Sequence, residues 1–405
     1  MNHEKLTRRR MLQSAAAGAA LGAWGFPVQP ASAARAPADL TILEPVSGAV
    51  LNHRHGRQTS DGLTIRVVGQ ARRGDRVTVN QVACRVEGTR FEGEVVLRQP
   101  ETDLLAVAEG AGPSREDRVR VVWDRYSEPR YRFSIDDNSF FLRDIAQKNY
   151  RSLFDCFYLK MLRDLHAKYG AKFSVNIFYT AADDAKVATG TDFKISQFPD
   201  RYKGQWRDNS HWLKLAFHAY ANMPDRPYQD VPPERLVADL DLVAAEIRRF
   251  AGEESYAPPT VIHWGMTRRT ALAPLFRRGV RALSGYFVNH GRGWDINYGW
   301  DDAHSEYLSR HNAWKDFESG IVFSRIGIVC NSVPLERIAA VLEPLAKDPN
   351  TAEIMDLFTH EQYFWPFYFH YIPDHARRVD RAIRWVTERG YQPVFFHEGL
   401  LGGRV

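Results

Sequence analysis

Two adjacent carboxylates, Asp136 and Asp137, are the first residues in this sequence whose type and spacing could do chemistry. They directly follow the strand-like run 131–135. Neighbouring carboxylates repel each other unless a cation or a proton lies between them. One of them could therefore bind a metal while the other acts as a base, although Asp-Asp-Asn also suits a turn or the start of a helix.

Histidines end four later strand-like runs, at His218, His263, His360 and His397. A single histidine at a strand end is more often a hydrogen-bonded structural residue. Four of them, together with the Asp-Asp pair, favour a shared site. Imidazole and carboxylate together suit a transition metal such as Zn²⁺ with one position left open for water.

Alternating strands and helices would have to position these side chains. The strand-like runs are 131–135, 173–178, 213–217, 260–264, 353–359 and 393–396. Apolar residues at i, i+3, i+4 and i+7 predict helices over 157–169, 233–250 and 376–390. For residues 131–405 this alternation predicts an α/β barrel or a doubly wound sheet, in which functional residues follow the carboxyl ends of strands.

The chain before residue 131 differs in rhythm. Residues 40–125 contain short strand-like runs at roughly ten-residue spacing, which predicts a small β-sandwich resembling the immunoglobulin-like modules of carbohydrate-active enzymes. Residues 1–33 combine the basic run Thr7–Gln13, a weakly apolar stretch and Ala-Ser-Ala, the pattern of a twin-arginine export signal. We therefore expect export by the twin-arginine machinery to the periplasm or the medium, with no stable membrane anchor.

Charge and cysteine content argue against a nucleic-acid-binding protein and against a protein held together by disulfides. Cleavage after Ala33 would remove four cations and one anion, which lowers the net charge from +5 to +2, and no basic stripe is present. We therefore expect no nucleic-acid partner. Three cysteines cannot build a disulfide framework, so we interpret them as small buried side chains, with at most one incidental pair.

Aromatic residues suggest a carbohydrate ligand. The long insertion 289–331 carries Trp300, and Phe364–Tyr368 carries Trp365. Tryptophan on a loop could stack on a sugar ring, or it could pack the loop onto the domain. Trp264 and His397, at two other strand ends, complete the residues that we predict to contact substrate.

Five segments of residues 131–405, about two-thirds of the chain, resemble the NodB-type polysaccharide deacetylases in order and spacing. Ser134–Asn138 is similar to the family's strand ending in Asp-Asp. Leu159–Asn176 resembles its helix, Tyr-Gly-Ala and strand passage. The other similar segments are His218–Asn222, His263–Gly265 and Leu357–His360, the last followed by a helix and Arg389–Val394.

The resemblance implies a distorted (β/α) barrel with a divalent metal, most simply Zn, with Co, Ni or Mn as alternatives. It implies that Asp136 is the general base and His360 the general acid, and that Asp137 and His218 bind the metal. Asn222 stands where the family has a second histidine, so we assign it as a ligand, with His263 as a further source of nitrogen. The family's usual arginine is absent, because Val261 occupies its position.

Three functions follow as hypotheses. The first is an exported, metal-dependent deacetylase acting on an acylated carbohydrate. The second is another carbohydrate reaction on the same barrel, such as glycosidic cleavage, using two carboxylates among Asp136, Asp301, Glu361 and Glu398. The third is a catalytically inactive protein that binds carbohydrate.

Overall fold

The computed structural model describes residues 39–181 and 193–401. In this part of the chain the protein is a mixed α/β protein with several sheets, and it divides into two compact units between Ser127 and Glu128. The predicted export signal, residues 1–33, lies outside the described residues. Over the two described ranges, no helix is both long enough and apolar enough to cross a membrane.

The first unit contains two five-stranded sheets. Its strands are β1 (Leu40–Glu44), β2 (Val50–Leu51), β3 (Gly56–Thr59), β4 (Gly62–Ala71), β5 (Arg76–Val79), β6 (Val82–Ala83), β7 (Arg85–Glu87), β8 (Arg90–Leu97), β9 (Glu101–Glu109) and β10 (Arg115–Trp123). One sheet has the order β1-β4-β8-β7, with β3 also paired to β4, and the other has the order β2-β10-β9-β5-β6. The immunoglobulin-like sandwich stays a prediction for this unit.

The second unit carries the remaining strands and the helices. Its strands are β11 (Arg130–Asn138), β12 (Phe173–Phe178), β13 (Leu213–Ala219), β14 (Ala282–Gly285), β15 (Val288–Asn289), β16 (Trp294–Asp295), β17 (Trp314–Lys315), β18 (Val322–Arg325), β19 (Ile328–Val329), β20 (Ile354–His360) and β21 (Gln392–Pro393). Its helices are α1 (Phe140–Lys148), α2 (Phe157–Tyr169), α3 (Lys203–Asp208), α4 (Pro233–Ala251), α5 (Leu272–Arg277), α6 (Asp302–Leu308), α7 (Ile338–Lys347) and α8 (His375–Thr387).

A parallel sheet of order β13-β12-β11-β20-β19 is the centre of this unit, and β21 also pairs with β11. Strand β11 is buried along its whole length, as parallel strands covered on both faces are. A second sheet has the order β14-β18-β17, and β15 and β16 form a hairpin. Closure of these strands into a distorted barrel stays a prediction.

Register brings the predicted site residues together. In the parallel pairing of β11 with β20, Arg132 lies opposite Asp356, and Asp136 lies opposite His360. Because side chains alternate along a strand, these two pairs share one face of the sheet. Asn176 on β12 lies on the same face, since Ser174 is the register partner of Ser134. The carboxyl end of this face is therefore polar.

Two element predictions were wrong. Residues 260–262 do not form a strand, because Pro258 and Pro259 precede them and a 3-10 turn, His263–Gly265, follows at once. The carbonyl of Thr260 nevertheless accepts a hydrogen bond from Ser284 N–H at 2.8 Å, beside β14. The predicted loop 289–331 contains α6, β17, β18 and β19, because its buried Ile321, Val322 and Phe323 are core residues.

The cysteine interpretation is confirmed in part. All three cysteines are free; Cys156 and Cys330 are fully buried, whereas Cys84 is partly exposed. The incidental pair that the sequence allowed is not formed.

Candidate metal centre

Strand β11 delivers both of its terminal carboxylates to one cavity through a break in its pairing with β12. The register shifts by one residue between Ile135 and Asn138, and Asp137 has a φ of +59°. A regular strand would point Asp136 and Asp137 to opposite faces, whereas an extra residue in a left-handed conformation redirects the second side chain. Both carboxylates therefore line the same cavity.

The backbone around this bulge is held by Asn138. Its amide donates hydrogen bonds to the carbonyl oxygens of Ile135, at 2.7 Å, and Asn176, at 3.0 Å. Its own oxygen accepts from the hydroxyl of Tyr158 at 2.8 Å. The interpretation of Asp-Asp-Asn as a helix cap is wrong, because Glu361 accepts the N–H groups of Ser139, Phe140 and Phe141 at the start of α1.

Three side chains place ligand atoms close enough to share one ion. His218 Nε2 lies 3.2 Å from Asp137 Oδ1, His263 Nδ1 lies 3.4 Å from the same oxygen, and the two nitrogens are 2.9 Å apart. Ligands about 2.1 Å from one metal, at angles between octahedral and tetrahedral, are separated by roughly 3.0–3.4 Å. The group Asp137, His218 and His263 therefore fits a divalent metal, whose identity the ligand set leaves open.

The protonation of His263 and Asp137 supports the same conclusion. Burial would lower the pKa of His218, but Asp136 and Asp137 outweigh it and raise that pKa, so a metal has to displace the proton of His218. His263 Nε2 donates to the backbone carbonyl of Asn222 at 3.1 Å, so Nδ1 carries a lone pair. Burial lowers the pKa of His263 to about 3, despite the opposing charge of Asp137. Burial alone would raise the pKa of Asp137, but its hydrogen bond to His218 and the nearby imidazoles outweigh that effect and hold it below its usual value. A neutral imidazole and a carboxylate thus converge as ligands.

The assignment of Asn222 as a ligand stays a prediction. Its backbone oxygen accepts the hydrogen bond that orients His263, and the residue is buried just beyond β13. His263 takes the third position, as the sequence analysis allowed. His218 itself sits at a second register shift, where β13 gains one residue on β12 between Phe217 and Ala219.

Asp136 is oriented by neutral side chains. Its Oδ1 accepts hydrogen bonds from Asn176 Nδ2 at 2.5 Å and from Ser134 Oγ at 3.3 Å. The role of Asn176 was not predicted, because the expected partner of Asp136 was an arginine. Alternation along β12 was the signal that could have found it. Arg132 does not take that role, since it pairs with Asp356 deeper in the sheet.

His360 has a fixed ring orientation. Its Nδ1 donates to Asn331 Oδ1 at 3.0 Å, and Thr359 Oγ1 donates to the same oxygen at 3.2 Å. His360 lies opposite Asp136 in the register, and both side chains line the cavity. Asn331 was also missed by the sequence analysis, because a lone asparagine at the end of an assumed loop carries no recognisable spacing.

These residues line one cavity of about 180 Å³. A water molecule needs roughly 10–15 Å³ measured in this way, so the cavity has room for an organic group as well. Trp264 lines it from a left-handed backbone, with a φ of +66°, and Gly265 follows at +55°. Only glycine fits at 265, because a Cβ there would lie 2.7 Å from Ile296 Cγ2.

The structure does not bring the other predicted substrate contacts to this lining. Trp300 is buried against Trp314, and Trp365 is buried with its Nε1 donating to Glu361 at 3.0 Å. Both tryptophans therefore pack against other parts of the protein, which was the alternative to stacking on a sugar ring. His397 is half-buried beside Phe395, and burial lowers its pKa to about 4.

The carboxylates suggested for glycosidic cleavage are dispersed as well. Glu361 accepts three backbone N–H groups and Trp365, while burial raises its pKa to about 7. Asp301 begins helix α6 by accepting the N–H of His304, and Glu398 is exposed. Among the described residues, none of these three lines the cavity with Asp136.

A comparison with models of known protein families finds no match, and neither does one with curated proteins. Among solved structures, a family 4 acetyl xylan esterase from Clostridium thermocellum, in complex with a cobalt ion, has a TM-score of 0.31 and 12% identity over 66% of this chain and 88% of that one. A protein from Bacteroides fragilis, provisionally assigned as an alpha-galactosidase, has a TM-score of 0.24 and 9% identity over 86% and 78%. Similarities this weak assign neither a family nor an activity to the chain.

Proposed function

We propose that this protein is an exported, metal-dependent hydrolase that removes an acyl group from a carbohydrate, most simply a deacetylase. One observation carries the proposal: a three-ligand metal group, a positioned carboxylate and a positioned imidazole line a single cavity. The carbohydrate and the export route rest on the sequence patterns.

The chain's own residues divide the proton transfers. Asp136, held by Asn176 and Ser134, takes a proton from the water that attacks the acyl carbonyl carbon. His360, held through Nδ1 by Asn331, gives a proton from Nε2 to the departing nitrogen or oxygen as its bond to the carbonyl carbon breaks. A divalent metal held by Asp137, His218 and His263 supplies Lewis acidity and lowers the pKa of bound water.

Metal content and acetate release test the proposal together. Wild-type protein should carry about one divalent metal per chain by elemental mass spectrometry, and Asp137→Ala and His263→Ala should lose it. Acetate release from acetylated xylan and chitin oligosaccharides should fall at least 100-fold in both variants. The matched control is Asp302→Ala, an exposed carboxylate of helix α6, which should retain metal and activity.

The outcomes separate the rival functions. Wild type that binds metal and releases shorter oligosaccharides without acetate would favour glycosidic cleavage. Protein that binds oligosaccharide, holds no metal after reloading and releases nothing would favour the inactive binding protein. Asn222→Ala distinguishes the two ligand assignments: metal binding close to that of wild type is expected, because alanine keeps the backbone carbonyl that orients His263, whereas a clear loss of metal would favour the side chain of Asn222 as a ligand.

A further inference from the structure

Beyond the metal group, the cavity has a wall of apolar and aromatic side chains. Six of these side chains belong to residues 264–329, the part of the chain that contains β14 to β19. They are Trp264, Tyr286, Val288, Ile296, Ile326 and Val329. Ile326 is buried, whereas Tyr286, Val288 and Val329 are partly exposed along the cavity. A sugar ring offers hydroxyl groups that need hydrogen bond partners, and this wall offers few.

Three polar side chains in the same lining are already engaged with protein partners, while His290, Ser332 and Gln362 line the cavity as well. Ser284 Oγ donates to Asp356 at 2.5 Å, and Asn331 Oδ1 accepts from both His360 and Thr359. Asp136 is held by Asn176. Hydroxyl groups placed against these three residues would have to replace good hydrogen bonds, whereas methylene groups placed along the apolar wall would not.

One of the reacting groups shares a strand with an apolar residue of the lining. Phe358 precedes His360 by two residues on β20, so both side chains lie on the same face of the strand and both line the cavity. An acyl carbonyl at the metal group would direct its own chain along the apolar wall. An acetyl group, with a single methyl, would leave most of that surface uncovered.

We infer that the cavity binds a straight-chain acyl group longer than acetyl, so that the substrate is an N- or O-acylated carbohydrate with a chain of four to eight carbons. This inference rests on the proposed function for the reaction, but the binding surface can be measured without any turnover. Burial of each methylene contributes about a fourfold gain in affinity until the wall is covered.

The test uses N-acetyl-, N-butyryl-, N-hexanoyl- and N-octanoylglucosamine as probes. Binding is measured by calorimetry on Asp136→Asn, which blocks turnover, and acyl release is measured on wild type. Affinity should rise at least 30-fold from acetyl to hexanoyl. Val329→Trp places a larger side chain in the cavity and should lose most of this gain in affinity. Leu242→Trp, at an exposed position of helix α4, should keep it. If Val329→Trp does not fold, Ile326→Phe replaces it.

Affinity that is flat or falls with chain length would overturn the inference, as would a Val329→Trp variant that weakens every chain length equally. Failure of the proposed function has a different signature. In that case wild type releases no acid from any probe, and the binding series still reports on the apolar wall.

Discussion

Two asparagines hold the two proposed proton-transfer groups. A charged partner in their place would change the protonation of each group more strongly than a neutral amide does. Asn176 donates to Asp136, and Asn331 accepts from His360. A neutral acceptor fixes the proton on Nδ1 of His360 without adding a negative charge beside the ring. Asn331 therefore acts by selecting one ring orientation and one tautomer.

Replacement of Asn331 tests this positioning role. Asn331→Ala removes the acceptor, so we expect kcat to fall about 10- to 100-fold with little change in KM. Asn331→Asp restores an acceptor and should recover most of kcat, with a changed pH profile because it adds a charge. Steady-state kinetics on the best substrate, from pH 5 to 9, measure both effects.

A purely structural role for Asn331 predicts another result. Asn331→Asp and Asn331→Ala would then lower the thermal unfolding temperature by similar amounts. Neither would change the pH profile of the remaining activity. The control is Asn350→Ala, whose side chain lies in the turn after α7, away from the cavity; it should match wild type in both kinetics and pH profile.

Residue identity at the proposed site was largely predictable where the side chain is a ligand or an acid–base group. Asp136, Asp137, His218, His263 and His360 stand at the carboxyl ends of recognisable runs, and all five line the cavity. The partners that orient them were less predictable. Alternation along β12 could have identified Asn176, whereas Asn331 lies in the 3-10 turn Cys330–Ser332 after β19, where no spacing in the sequence marks it.

At the scale of elements, a buried ion pair links three segments beneath the site. The guanidinium of Arg132 on β11 binds both oxygens of Asp356 on β20 at 2.9 Å and donates to Thr260 Oγ1 at 2.7 Å. Both charged side chains are fully buried. Thr260 begins the stretch that leads to His263, so this pair holds that stretch against the central sheet.

Removing one charge of the pair should be worse than removing both. Arg132→Met leaves the Asp356 carboxylate buried without its partner, and we expect a loss of about 3–5 kcal/mol in the free energy of unfolding. Arg132→Met/Asp356→Leu should lose clearly less, because no buried charge remains. Urea unfolding followed by tryptophan fluorescence reports mainly on this unit, which holds eight of the ten tryptophans.

If the double variant is as unstable as the sum of the two single variants, the pair acts as two independent contacts. An exposed pair in the same unit, Arg278 and Asp241, is the matched control. Its disruption by Arg278→Met should cost less than about 1 kcal/mol, because solvent screens exposed charges.

Periodicity predicted the regular elements well and the irregular ones badly. The helix at 157–169 and the strand at 173–178 have the predicted bounds, since a clear apolar repeat or a buried run defines each. The register shifts at Asp137 and His218 have no counterpart in the sequence pattern. They arise when strands are paired, and the metal group depends on both.

For the unit as a whole, buried neutral histidines tie stability to pH. Burial lowers the pKa of His375 to about 3, with a smaller contribution from nearby charges, and its Nε2 lies 2.8 Å from Thr359 Oγ1. In the unfolded chain the pKa of histidine is about 6.5. Between these values the unfolded state binds a proton that the folded state does not, so the folded state loses stability as pH falls.

The expected slope from His375 alone is about 1.4 kcal/mol per pH unit below pH 6.5. Urea unfolding at pH 7, 6 and 5 measures it. His375→Gln should lower the slope by about 1.4 kcal/mol per pH unit and leave the contributions of His263 and His397, whose pKa values burial also lowers, whereas the exposed-histidine control His211→Gln should keep the slope of wild type. Equal slopes in all three proteins would show that other groups control acid sensitivity.

The register of Asp136 with His360 has a consequence for protein engineering. Because the two residues face each other on neighbouring parallel strands, their backbones are separated by the interstrand spacing of about 4.8 Å. That spacing does not depend on the connections between strands. Residues 286–296 and 326–329, which supply much of the apolar wall, lie outside β11 and β20 and do not include Asn331, which positions His360. These segments could therefore be exchanged to change which substrate the cavity binds. Strands β11 and β20 would still hold Asp136 and His360 at the same separation.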